Sequence, residues 1–154
     1  MKRMHIHVAV RNVGEAIPFY STLFATKPCV VKPDYAKWML DDPRVNFAIS
    51  ARGKTLGLDH LGIQTESADE LAEIYGRLQA ADRPVLEEGE TICCYAKSTK
   101  SWIGDPAGIA WEAFLTTGES TFYGDSGDKA EAVRIASKPQ TGSCCGHQAK
   151  EAAA

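Results

Sequence analysis

Two stretches of the chain, residues 4–24 (MHIHVAVRNVGEAIPFYSTLF) and residues 58–78 (LDHLGIQTESADELAEIYGRL), decide the predicted fold. Each opens with a run of residues that favours a β-strand and continues into apolar residues at helical spacing. The first strand of each stretch carries a histidine, and His5 and His60 lie 55 residues apart. Short β-favouring runs follow each helix, so the pattern indicates an internal repeat of the order β-α-β-β-β.

Two such halves can complete one fold by lying side by side. A single half would leave its sheet with an open edge and an exposed face. We therefore expect an α+β fold in which paired β-α-β-β-β modules form a curved mixed sheet around a cavity, with the helices outside. Residues 1–117 would form this domain, as halves of about 1–56 and 57–117. Residues 118–154 are polar and punctuated by glycine, so we expect a flexible tail with one helix over 128–137.

Local signals place the other elements. Ser67 and Glu70 have the spacing of a capping box, which predicts where the second helix begins. Turn residues at 41–44 and 105–108 separate the later β-favouring runs. The remaining strands are predicted at residues 29–32, 35–40, 45–51, 83–87, 90–96, 100–103 and 109–115.

Composition and charge exclude several classes of protein. The 154 residues carry a formal charge of −3, which argues against a basic nucleic-acid surface. No apolar run approaches the roughly 20 residues that span a bilayer, and the first residues lack the apolar stretch of a secretory signal. We therefore expect a cytoplasmic protein that binds neither a membrane nor nucleic acid.

The five cysteines point towards soft-ligand chemistry. An odd number of cysteines without an export signal argues against a disulfide framework. Cys29 is interpreted as a small apolar core residue. The adjacent pairs Cys93-Cys94 and Cys144-Cys145 look instead like ligands for a soft metal or metalloid.

Three residues of metal-ligand type occupy equivalent places in the repeat: His5, His60 and Glu112. His5 and His7 share a strand face, so spacing alone does not choose between them. A carboxylate between the apolar neighbours of Glu112 is costly to bury unless a cation compensates it, although that face can equally be solvent-exposed. Two imidazoles and one carboxylate form the set that suits non-haem iron(II), and the same set can hold zinc, manganese or nickel.

Several motifs, in their order, resemble the vicinal-oxygen-chelate superfamily of glyoxalase I, extradiol dioxygenases and bleomycin-resistance proteins. The resemblance covers roughly residues 4–116 and implies a metal in the cavity, held by His5, His60 and Glu112. Aligning Phe19-Tyr20 of the first helix selects His5 over His7. The motifs that carry it are His5, VRNV at 10–13, IPFY at 17–20, LDHLGI at 58–63 and DPAGIAWE at 105–112.

A narrower resemblance rests on YAKWML at 35–40, NFAIS at 46–50 and CCYA at 93–96. These residues are similar to the branch that contains the carbon–arsenic lyase of trivalent organoarsenicals and the cadmium-induced proteins. The resemblance implies that Cys93 and Cys94 hold arsenic beside an iron(II) site that uses oxygen.

Thiolates are the preferred ligands of soft trivalent arsenic. Adjacent strand residues point to opposite faces, so Cys93 and Cys94 can chelate one atom only from a loop or bulge, and Glu87–Glu90 favours a loop just before them. Nearby Lys97 and Lys100 would favour thiolates electrostatically, and Lys100 is a predicted substrate contact. The tail pair, Cys144 and Cys145, would act as auxiliary thiols or be inert.

The leading hypothesis is iron(II)- and oxygen-dependent cleavage of the carbon–arsenic bond, with a small-molecule trivalent arsenical and O2 as partners. One alternative is a glyoxalase-type isomerase, which usually needs a fourth protein ligand; Gln64 and Glu66 lie too early to supply it. Another is a non-enzymatic thiol protein that sequesters cadmium, arsenite or an antibiotic. Many members of this fold dimerise, so a homodimer is also expected.

Overall fold

The secondary structure follows the predicted repeat. A computed structural model describes residues 1–52, 55–124 and 129–137. The first half contains β1 (Arg3–Ala9), α1 (Val13–Leu23), β2 (Val30–Lys32), β3 (Tyr35–Asp41) and β4 (Arg44–Ser50). The second half contains β5 (Gly57–Thr65), α2 (Ala68–Ala80), β6 (Val85–Cys93), β7 (Ala96–Gly104) and β8 (Ala110–Glu119), after which comes α3 (Lys129–Ser137). None of these described helices has the length and apolar character that a bilayer crossing demands.

One mixed, curved sheet joins the two halves. Its strand order in the described part of the chain is β2-β3-β4-β1-β5-β8-β7-β6. The halves meet where β1 pairs with β5 in antiparallel orientation, while β1 and β4, and likewise β5 and β8, are parallel. The remaining pairs are antiparallel hairpins. The predicted α+β fold is therefore confirmed.

Both long helices begin at side-chain caps. Asn12 accepts a hydrogen bond from the Glu15 backbone N–H at 3.2 Å, which caps α1. Ser67 accepts from the Glu70 backbone N–H at 3.2 Å, as the capping box predicts for α2. The Glu70 carboxylate, however, accepts from the Glu66 backbone N–H, one residue before the cap.

The two long helices cover the convex face of the sheet. Val13 of α1 belongs to a buried cluster with Trp38, Phe47 and Ile49 of the first half. Leu71 and Ile74 of α2 pack with Ala113 in the same way in the second half. Side chains alternate across a strand, so the residues between these positions face the concave side and line a cavity there.

The third helix lies on the cavity face of the sheet. Ala130 and Val133 of α3 form a cluster with Trp102 and Ala110, and Trp102 also lines the cavity. The predicted helix over 128–137 is present from Lys129 onwards. Asp128 and the predicted tail beyond Ser137, with Cys144 and Cys145, lie outside the described residues.

Strand β6 departs from the prediction. The expected strands at 83–87 and 90–96, with a loop at Glu87–Glu90, are one continuous strand, Val85–Cys93. Gly89 has a φ of 69° and absorbs an irregularity in the pairing with β7. A glycine bulge keeps the ladder intact on both sides, so the polar run does not end the strand. The prediction of a loop before the cysteines was wrong.

A tight contact between the strands of the second half generates a stability prediction. Gly62 lies opposite Glu112, and a methyl group added at Gly62 would meet the Glu112 carbonyl oxygen at 2.6 Å. We expect Gly62→Ala to lower the free energy of unfolding by about 1–3 kcal/mol, because overpacking forces the strands apart. Urea denaturation measures the effect.

The control is Gly76→Ala in α2, where nothing lies within 4 Å of an added methyl group. That variant should gain about 0.5–1 kcal/mol, since alanine is the better helix former. Wild-type stability in Gly62→Ala would contradict the close approach of β5 and β8.

Candidate metal and thiol site

Three histidines meet on the concave face where the two halves join. His5 and His7 lie on the same face of β1, and His7 pairs directly with His60 of β5. All three are buried, and one ligand atom of each lies within 4.8 Å of the others. Such a cluster can hold a metal ion.

The hydrogen bonds of each ring decide which nitrogen is left to bind. His5 Nδ1 lies 3.0 Å from the Asn46 carbonyl oxygen, and His60 Nδ1 lies 2.6 Å from an Asp59 carboxylate oxygen. Both acceptors require an N–H on Nδ1, so Nε2 is the nitrogen of each ring that is left to bind a metal once it carries no proton. In His7, by contrast, Nε2 bonds to the Ser50 hydroxyl at 2.9 Å.

Glu112 completes the cluster from β8. Its side chain is only 5 % exposed, and its Oε2 lies 3.9 Å from His5 Nε2 and 3.6 Å from His60 Nε2. Two atoms bonded to one ion at about 2.1 Å can be at most about 4.2 Å apart, so each of these imidazole nitrogens is close enough to the carboxylate oxygen to share an ion with it. The other carboxylate oxygen accepts a hydrogen bond from Lys100 Nζ at 2.6 Å.

Burial and neighbouring charges shift the pKa values of the clustered residues in different directions. Burial, together with the nearby His60, lowers the pKa of His5 to about 4 and that of His7 to about 3. Burial also opposes charge on His60, but hydrogen bonds with Asp59 and Glu112 raise its pKa to about 9. Burial alone would raise the pKa of Glu112, yet the charges of Lys100 and His60 hold it well below its usual value. At neutral pH one imidazolium therefore faces one carboxylate, and a bound metal would displace that proton.

The cysteine pair sits at the tip of the β6–β7 hairpin. Cys93 is the last residue of β6 and pairs with Ala96, so Cys94 and Tyr95 form the turn. Both turn residues have positive φ, 57° and 62°, which is the geometry of a type I′ turn. This turn, and not the expected loop at Glu87–Glu90, lets consecutive thiols face the same space. The two sulfur atoms are 3.1 Å apart.

Of the two lysines expected to favour thiolates, Lys100 lies near the thiols and Lys97 does not. The hydrogen bond with Cys93 and burial raise the pKa of Cys94 well above its usual value, and the charge of Lys100 offsets this only in part. Lys97 is exposed on the other face of β7. Lys100 therefore favours the thiolate as expected, but the hydrogen bond with Cys93 and burial outweigh its charge at Cys94.

Thiols and histidines open onto one cavity of about 50 Å³. Lys100 lies between the two groups, since its ammonium bonds Glu112 and its charge lowers the pKa of Cys94. Aromatic side chains form much of the wall: Tyr35, Trp102 and Phe114. Six predicted site residues are thus brought together, namely His5, His60, Cys93, Cys94, Lys100 and Glu112.

Some members of the site were not found from sequence. Asp59 reaches the ring of its neighbour His60 because the β1–β5 register shifts at this point, and nothing in the local sequence signals that shift. Tyr123 accepts a hydrogen bond from the Cys94 thiol at 3.4 Å although it lies beyond the predicted domain boundary. Tyr35 is a strand residue whose face could have been read from its alternation with Ala36 and Trp38.

No protein-family model matches the chain. The chain is 43 % identical over 121 residues to a trivalent organoarsenical cleaving enzyme of Bacillus sp. (strain MD1), which covers 75 % of this chain and 74 % of that protein. It is 35 % identical over 147 residues to a probable trivalent organoarsenical cleaving enzyme of Bacillus subtilis, with 94 % and 100 % of the two chains covered. The cadmium-induced protein CadI of Mycobacterium tuberculosis is 32 % identical over 125 residues, covering 80 % and 82 %.

Solved structures show the same fold at low identity. The Mn(II)-bound glyoxalase from Novosphingobium aromaticivorans aligns with a TM-score of 0.53 at 14 % identity, over 82 % of this chain and 44 % of that one. A methylmalonyl-CoA epimerase of Streptomyces coelicolor aligns with a TM-score of 0.50 at 14 % identity, over 74 % and 96 %. The fold and the sequence relatives agree: the chain has the fold of these glyoxalase and epimerase structures and belongs to the family of the trivalent organoarsenical cleaving enzymes and cadmium-induced proteins.

Proposed function

We propose that this protein cleaves the carbon–arsenic bond of trivalent organoarsenicals, converting methylarsenite to arsenite with iron(II) and oxygen. The observation that carries the proposal is one cavity with two kinds of donor, a pair of thiols 3.1 Å apart and a buried cluster of imidazoles with a carboxylate. Relatives named for cleaving trivalent organoarsenicals support the same substrate class.

The thiol pair is suited to capture the arsenic atom. One atom can bond both sulfurs at about 2.3 Å, the usual length of a metal–thiolate bond, across the 3.1 Å separation without any change of backbone. Two thiols and an arsenical that carries two hydroxyls condense with loss of two waters. Each thiol proton leaves with a hydroxyl group, so the reaction does not require a preformed thiolate. The raised pKa of Cys94 is therefore compatible with capture.

The donor set on the floor of the cavity fits iron(II). His5 Nε2, His60 Nε2 and Glu112 Oε2 would hold the ion, because these atoms face one another and the remaining atoms of their groups are bonded elsewhere. Iron bound there supplies redox chemistry with oxygen. His7 is the weaker choice of ligand, since the Glu112 carboxylate lies within 4 Å of the His5 and His60 ring nitrogens and would share an ion with those two rings.

The protein's own groups orient the reactants and exclude water. Lys100 holds one oxygen of Glu112, which leaves the other oxygen directed at the imidazoles. Asp59 fixes the His60 ring in the same manner. Tyr35, Trp102 and Phe114 wall the cavity, so the arsenic substituent would be held against the metal in a small apolar space. Holding both reactants together supplies the proximity that the reaction needs.

The cavity lining disfavours the glyoxalase-type alternative. The glyoxalase-type reaction usually uses a fourth protein ligand, often a second glutamate, in addition to the three metal ligands. Among the described residues, Glu112 is the one carboxylate that lines the cavity. A binding protein without turnover would use the same thiols, so only a product measurement separates it from an enzyme.

The proposal also assigns a role to each part of the chain and a location to the protein. We place catalysis in residues 1–117 and a collecting role for Cys144 and Cys145 in residues 118–154. Reduced thiols are essential, so the reducing cytoplasm is the proposed location. A homodimer stays a prediction.

The central experiment is arsenic speciation. Protein loaded with iron(II) without oxygen should bind methylarsenite and leave it intact, and admission of oxygen should release arsenite. Chromatography coupled to arsenic detection measures both species. Release of arsenite without iron or without oxygen would contradict the proposed chemistry. Binding of methylarsenite with no release of arsenite would indicate a protein that only sequesters the arsenical.

Ligand variants test the metal assignment. His60→Ala and Glu112→Ala should each reduce turnover at least ~100-fold and lower the iron bound per chain, since a site that loses one of three ligands loses affinity and geometry. Iron content after gel filtration and turnover are measured together. His7→Ala should cause a much smaller loss. A reversed order, with His7→Ala inactive and His5→Ala active, would move the first ligand to His7.

Thiol variants test substrate capture separately from the metal. Cys93→Ser and Cys94→Ser should lose methylarsenite binding but keep iron, because a serine hydroxyl is a hard, protonated oxygen. Equilibrium dialysis measures both ligands in one sample. Cys29→Ser is the matched control, since Cys29 is an exposed single thiol and its interpretation as a core residue was wrong. Full arsenical binding by the double Cys93→Ser, Cys94→Ser variant would show that other thiols capture the substrate.

A further inference from the structure

The turn that carries the thiols has an unfavourable backbone for its sequence. Cys94 and Tyr95 both occupy the left-handed region, with φ of 57° and 62°. Asparagine and glycine usually fill these two turn positions, because side chains with a Cβ are strained there. Strain of this kind persists where surrounding contacts over-determine the conformation.

Such contacts come from the other half of the protein. The Tyr95 hydroxyl donates to Asp34 Oδ1 at 2.8 Å, and Asp34 lies in the turn between β2 and β3. Arg52, just after β4, forms an ion pair with the same carboxylate. The tip of the second-half hairpin is thereby fastened to the first half.

A second contact path reaches the sulfur itself. The Arg52 guanidinium lies over the Tyr123 ring, 3.9 Å from its centroid. The Tyr123 hydroxyl in turn accepts the hydrogen bond of the Cys94 thiol. The rings of Tyr95 and Tyr123 also meet edge to face, with centroids 5.6 Å apart. Asp34 and Arg52 thus connect to the turn at both Cys94 and Tyr95.

The anchoring carboxylate is ionised at neutral pH. Partial burial alone would raise the pKa of Asp34, but hydrogen bonds from Tyr95 and Arg52 lower it below its usual value. The bond from Tyr95 is therefore charge-assisted, which makes it stronger than a bond between neutral groups.

We propose that Asp34 and Arg52 are positioning residues that hold the Cys94–Tyr95 turn so that both thiols face the histidine cluster. The inference rests on the proposed function only for the identity of the substrate. The positioning itself applies to any trivalent arsenical that takes two thiols at once. Asp34 and Arg52 do not line the cavity, so they act through the turn.

The test measures dithiol chelation directly. Phenylarsine oxide is bound by the metal-free protein without oxygen, and its affinity is obtained by competition with dimercaptopropanol. Every variant, including the reference, carries Cys144→Ser and Cys145→Ser, because the tail pair would also bind the probe. Asp34→Ala should weaken binding about tenfold, while Asp34→Asn, which can still accept from Tyr95, should retain most of the affinity.

Two controls separate positioning from a general structural effect. Asp41→Ala removes a different aspartate, the last residue of β3, whose carboxylate pairs with Arg3 at 3.0 Å. This pair lies away from the thiols, so the variant should leave the affinity unchanged. Tyr95→Phe should also weaken binding, and the double variant should be no worse than Asp34→Ala alone, since Asp34→Ala already removes the bond from Tyr95. The thermal midpoint should shift little in these variants, while the KM for methylarsenite rises more than kcat falls.

The outcomes of the two proposals can be told apart. Unchanged affinity for phenylarsine oxide in Asp34→Ala, or an equal loss in Asp41→Ala, overturns the positioning role whatever the turnover. Additive losses in Asp34→Ala and Tyr95→Phe overturn it as well. Loss of phenylarsine oxide affinity in Asp34→Ala, with no cleavage of methylarsenite by the reference protein, supports the positioning role and removes the proposed enzyme activity.

Discussion

The buried charge of Glu112 is the constraint on which the site depends. A carboxylate that is 5 % exposed is costly unless neighbouring groups compensate it. Lys100 of β7 answers one oxygen, and the imidazoles of β1 and β5 lie near the other. These partners come from three strands and both halves, so the charge is balanced only when the whole sheet is assembled in register. Gly62 contributes by leaving its position empty of side chain, which gives His5 and Glu112 a common space.

The repeat in the sequence predicted most of the fold, because each half repeats local signals that need no distant partner. Strand alternation placed His5 and His7 on one face but did not choose between them, and the choice of His5 with His60 and Glu112 came from the family resemblance. The geometry of Cys93 and Cys94 could not be predicted from the sequence. It depends on a two-residue turn with left-handed backbone, for which Cys-Tyr is an unusual sequence. The raised pKa of Cys94 could not be predicted for a related reason, since the hydrogen bond with Cys93 and the burial that cause it depend on the assembled fold.

The two kinds of donor in the cavity come from different parts of the strands, the histidines from strand centres and the thiols from a hairpin tip. The histidine cluster lies in the middle of β1 and β5, where the ladder on both sides makes the backbone rigid. The thiols lie at a hairpin tip, where chain geometry permits neighbouring side chains to converge. Nitrogen and oxygen donors thereby face sulfur donors across a space too small for a large ligand. A metal and a metalloid would each find donors of matching softness there.

The raised pKa of Cys94 has a consequence for the lifetime of the protein. Disulfide exchange and oxidation begin from the thiolate, and a thiol kept protonated by burial reacts slowly with glutathione disulfide or peroxide. Two sulfurs 3.1 Å apart would otherwise be a convenient place for oxidative inactivation. An electrophile that brings its own leaving hydroxyls can still react, since it removes the thiol protons as water. If the protein has the proposed function, the environment that slows spontaneous damage would also act as a chemical filter, admitting arsenicals in preference to ordinary cellular oxidants.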